Sequence, residues 1–173
     1  MHTLYNSRND KKIAFITLVL LISAEIIWIA LIVTAPLIIG REGIQGKTGI
    51  LIYGFFSPLC HQLDDRCFHI AGYKFAVCAR CFSIYSGFLL GTILYPLFYR
   101  KNFLKMPGLH FLAAATVIII LDVLLDYSDI LKNSFLSRSL SGGLAGLITA
   151  FFIVPGLMIF VLEIYKYIKD YNN

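Results

Sequence analysis

From Ile13 to Ile39 the chain carries one formal charge, Glu25. A run of that length leaves few ways to fold. A bilayer core of roughly 30 Å takes about 20 helical residues, and in lipid only a helix or a closed barrel satisfies its own backbone. Three further apolar stretches reach spanning length, at about 80–99, 109–128 and 139–165. The expected architecture is an all-α, polytopic membrane helix bundle with four spanning helices, forming a single integral membrane domain over 1–173. Composition agrees: 58% of residues are hydrophobic and 14% charged, against roughly 45–50% and 25% in soluble proteins.

The first run is too long for the core of a secretion signal, and no Ala-x-Ala site follows it. It reads as a retained signal anchor and first span. The net charge of +5 fits loops facing anionic lipid, and no basic patch interleaved with aromatics points to nucleic acid. With four spans, Arg8, Lys11, Lys12, Arg100, Lys101, Lys105, Lys166 and Lys169 lie on one side, on short segments. Arg41, Lys47, Arg66, Lys74, Arg80, Lys132 and Arg138 spread over longer segments on the other. Basic density therefore puts the protein in the cell membrane as a multi-pass protein with both termini in the cytoplasm.

All four cysteines fall between Cys60 and Cys81. The segment from Gly49 to Leu59 is apolar but too short to cross, and Pro58 breaks its end. It reads as a re-entrant or interfacial half-helix opening a cysteine-rich cap over about 49–81. Phe68 to Val77 reads as a second interfacial piece that folds the two cysteine groups together. Cys78 and Cys81 have the C-x-x-C spacing, which lets two thiolates reach one tetrahedral metal or close a redox disulfide. Cys60 completes the most economical metal set, with His61 as fourth ligand or proton carrier. Zinc or iron would suit these donors. Arg66 and Arg80 favour the thiolate form. A structural disulfide pair is the third reading of the same cysteines.

A second group is acidic. Asp122 and Asp126 share one helix face, and a carboxylate in the bilayer usually faces a partner or a wet cavity. Arg138, opening the last helix, is a candidate partner. Glu25 is the other intramembrane carboxylate. Ser83, Gly87 and Gly91 recur every four residues, as do Gly142, Gly146 and Ala150. Small residues at that spacing allow close helix approach in lipid.

Cys60-His61-Gln62 with Arg66, then Cys78-Ala79-Arg80-Cys81 followed by Tyr85, Gly87 and Gly91, resemble a prokaryotic family of small integral membrane proteins called domain of unknown function 2085. Asp122, Asn133, Arg138, Gly142, Gly146 and Pro155 continue the likeness, which covers about residues 50–157. Cys67 stands where the family pattern leads us to expect a serine-like residue, which sets it apart from a shared site. The resemblance implies a multi-spanning membrane protein and brings no established reaction.

The candidate site is therefore Cys60, His61, Arg66, Cys78, Arg80, Cys81, Asp122, Asp126 and Arg138. Its expected role is metal binding or thiol redox chemistry at the membrane surface, acting on a lipid, a quinone or a membrane protein. One alternative is a small transporter or ion-coupled permease using Asp122, Glu25 and Arg138. Another is a non-enzymatic partner subunit that assembles through its small-residue helix faces.

Overall fold

The computed structural model describes residues 8–43, 46–99, 104–128 and 134–171. Arg100, Lys101, Asp129, Lys132 and Asn133 lie outside them, as does the side chain of Asp126. The chain folds as α1 (Arg8–Glu42), α2 (Lys47–Phe56), a 3-10 turn (Asp64–Arg66), β1 (Cys67–Ile70), β2 (Tyr73–Cys78), α3 (Ala79–Phe98), α4 (Leu109–Tyr127) and α5 (Phe135–Tyr171).

Three helices, α1, α3 and α5, are long and apolar enough to cross a membrane. The fourth expected span exists as α4, 19 residues long, but does not stand with those three. α1 and α5, at 35 and 37 residues, outrun the apolar stretches that announce them. A 35-residue helix is about 52 Å long, so polar turns carry it past a hydrocarbon core. Outward-facing Leu20, Leu97 and Phe160 are exposed, as lipid-facing side chains would be.

The expectation of an all-α fold needs correction. Phe68 to Val77 belongs to an antiparallel hairpin in which Cys67 pairs with Cys78 and Ile70 with Tyr73. Its two-residue loop has both central residues left-handed, Ala71 at φ 53° and Gly72 at φ 83°. That is the turn whose twist matches the strands. Gly72 adopts it freely, whereas Ala71 does so at a cost.

α3 and α5 pack most intimately. A Cβ on Gly87 would collide with the Gly143 carbonyl, and one on Gly146 with that of Ile84. The two small-residue stripes thus close on each other within the chain. Near the start of α3, a Cβ on Gly142 would stand 2.6 Å from the Arg80 carbonyl. That contact sets Arg138, one turn earlier on α5, beside Arg80.

Buried side chains form two clusters. One centres on Tyr95, Ala150, Val154 and Met158 with Ala14 and Leu18 of α1. The other joins Ile32 and Ala35 of α1 to Phe56, Cys60 and strand residues Phe75, Ala76 and Val77. Trp28 anchors the second, meeting Phe56 and Tyr85 edge-on. The hairpin and the Cys60 loop are therefore part of the core and sit as a rigid cap.

Candidate metal centre

Three elements bring three thiols together. Cys60 follows the turn that ends α2, where its amide donates to the Phe56 carbonyl at 3.0 Å. Cys78 ends β2 and is the N-cap of α3, and Cys81 lies in that helix's first turn. The sulfur atoms of Cys60, Cys78 and Cys81 all lie within 4.8 Å of one another. All four cysteines are free thiols. Tetrahedral thiolate ligands at about 2.3 Å from zinc stand about 3.8 Å apart. The trio therefore needs a contraction of an ångström or less to hold such an ion.

The surroundings favour thiolate. The Cys78 amide donates to Cys60 Sγ at 3.2 Å. Hydrogen bonds from the Cys78 and Cys81 thiols, and from the Cys78 and Gln62 amides, hold Cys60 well below the usual thiol range against the opposing effect of burial. Cys78 and Cys81 stand at a helix N-terminus, where the macrodipole stabilises negative sulfur. Cys67 is different. It is fully buried across the hairpin from Cys78, and burial, with smaller repulsion from Cys78 and Cys60, pushes it up to about 12.

The loop carrying Cys60 and His61 is held by a residue to which sequence reasoning gave no role. Gln62 takes a left-handed backbone, φ 51°. Its amide nitrogen donates to the carbonyls of Tyr53 and Ala76, both at 2.8 Å. Lys74 Nζ donates to its main-chain carbonyl at 2.7 Å. α2, the loop and β2 are thereby tied at one point. The adjacency to Cys60-His61 was the available signal, but its partners come from strands the sequence did not reveal.

A cavity of about 350 Å³ opens on the trio, lined by Leu59, Cys60, His61, Gln62, Leu63, Arg66, Cys78, Arg80, Cys81 and Arg138. His61 is exposed on this wall and stands outside the close group of three sulfurs. Asp122 sits behind it: Arg80 Nη2 donates to Asp122 Oδ2 at 2.6 Å and Ser141 Oγ donates to the same oxygen at 2.9 Å. Arg80 is thus a partner of Asp122 that the sequence reading did not identify, having offered Arg138. Arg138 is buried in the first turn of α5. Asp126 lies one turn beyond Asp122 on α4. Glu25 is elsewhere: Thr92 Oγ1 donates to its Oε1 at 3.0 Å.

Fold and site define a class, a helical membrane protein with a hairpin cap that gathers thiols over the helix ends. Within that class the chain belongs to the predicted membrane protein family DUF2085, whose model matches residues 60–152. An uncharacterised protein of Methanocaldococcus jannaschii is 37% identical over 120 residues, covering 69% of this chain and 75% of its own length. No solved structure matches the chain significantly.

Proposed function

We propose that the protein is a multi-pass membrane protein that binds one thiophilic metal ion, zinc or iron, through Cys60, Cys78 and Cys81 at the membrane surface. The observation that carries this reading is the approach of the three sulfurs to within 4.8 Å. Catalytic metal sites keep three protein ligands and an open fourth position. Here the cavity leads to the fourth position, and His61 on its wall is the group to occupy it or to move a proton there. The site faces a lipid, a quinone or another membrane protein. In this reading α4 is the fourth span, both termini are cytoplasmic and the cap lies outside.

Elemental analysis of full-length protein purified without a metal-affinity tag tests it. About one metal ion per chain is expected, falling to near zero in Cys78→Ser and Cys81→Ser. Wild-type protein without metal would contradict the reading.

Thiol exchange is the second reading, favoured by the position of Cys78 and Cys81 one turn apart at the start of α3. It predicts a metal-free protein whose two thiols disappear together on mild oxidation. Transport through Glu25, Asp122 and Arg138 draws on the buried Glu25 Oε2, which has no hydrogen-bond partner among the described residues. Unchanged vesicle flux in Asp122→Asn would remove it.

A further inference from the structure

Beside the thiols, the cavity wall is cationic. Among the described residues, Arg66, Arg80 and Arg138 line it and no carboxylate does. Asp122 neutralises part of this charge from behind Arg80. Arg80 Nε is nevertheless buried without a hydrogen-bond partner among the described residues. The N-terminus of α3 opens on the same cavity, and its N-cap Cys78 supplies no side-chain cap. Three guanidiniums and an uncapped helix start are the groups that recognise tetrahedral oxyanions: the guanidinium fork matches phosphate in pairs, and helix amides add partial positive charge. Three thiolates around a divalent ion leave a single negative charge, too little to cancel the arginines.

The rest of the wall is apolar and points to what carries the anion. Leu59 and Leu63 flank the opening and are 51% and 47% exposed. Leu59 follows directly on α2, whose Ile50, Leu51 and Phe55 are also exposed. A short helix with such a face lies in the headgroup region.

We infer that this cavity is an anion subsite that takes a phosphate group, with Arg66, Arg80 and Arg138 as its recognition residues. It deepens the metal reading by naming the substrate class of the same site, and rests on that reading for what the bound group is used for. Phosphate can arrive free or as a lipid head group, and the exposed leucines assign the lipid.

The test uses full-length protein in detergent and two probes, inorganic phosphate and a short-chain phosphatidic acid, with the matching uncharged diacylglycerol as control. Titration calorimetry should show the phosphatidic acid binding, with affinity reduced roughly tenfold or more in Arg66→Gln. Arg138→Gln should weaken it similarly. Arg66 lies in the loop, so its variant reports on binding even if Arg138→Gln fails to fold. Phosphatidic acid binding much more tightly than phosphate supports the lipid source; equal binding supports the free anion. Binding of neither, diacylglycerol binding as well as the acid, or an unchanged affinity in Arg66→Gln overturns the subsite. Metal content measured on the same samples separates the two ideas: metal without phosphate binding removes only the subsite, and phosphate binding without metal removes only the metal centre.

Discussion

Gln62 shows how much one side chain can position. Its amide ties two carbonyls from separate elements while its backbone stays left-handed. Replacing it with Leu leaves those acceptors unmatched, at about 1–3 kcal/mol each. Gln62→Leu should therefore lower the unfolding temperature in detergent and loosen the metal site, because Cys60 is two residues away. Cys67 tests the opposite property. Fully buried and neutral at ordinary pH, it should resist alkylation at pH 8 in the folded protein and react once the protein is unfolded, as mass spectrometry of labelled peptides would reveal. Asp122 is a third case. Only 14% of its side chain and 19% of Arg80's are exposed. Asp122→Asn leaves a largely buried guanidinium with a neutral partner and should cost about 3 kcal/mol, read as a lower denaturation midpoint.

Among the elements, the hairpin and the α3–α5 pair make distinct demands. Ala71 pays for a left-handed conformation that Asn adopts more readily. Ala71→Asn should stabilise the protein by about 0.5–1 kcal/mol, measurable as a raised unfolding temperature. Gly146→Leu should do the reverse. The side chain would have to displace the α3 backbone at Ile84, and overpacking of this kind costs about 1–3 kcal/mol or more. Because these stripes are filled from within the chain, this loss would appear in the isolated monomer.

The hairpin was not legible beforehand for a definite reason. Its turn is Ala-Gly rather than Asn-Gly, and its strands are short segments of a generally apolar sequence. Apolar runs reveal spans because the bilayer sets a length, but no comparable ruler marks a six-residue strand. The Arg80–Asp122 pairing was equally hidden. The residues are 42 apart and meet only through the packing of α3, α4 and α5, whereas Arg138 was nearer in sequence. The thiol grouping was more accessible, since C-x-x-C spacing constrains two of its members locally.

At the scale of the whole molecule, a greasy bundle carries a small, hydrogen-bonded cap whose thiols and arginines share one cavity. The core joins Phe56 and Val77 of the cap to Ile32 of α1, so cap and bundle should unfold together, with removal of a bound metal lowering the stability of both. Metal-edge X-ray absorption on the metal-loaded full-length protein tests the central claim most directly. The account predicts three sulfur neighbours at about 2.3 Å that are lost when Cys60, Cys78 and Cys81 are changed to serine. A shell of nitrogen and oxygen alone, or an ion that the triple-serine variant keeps unchanged, would contradict it.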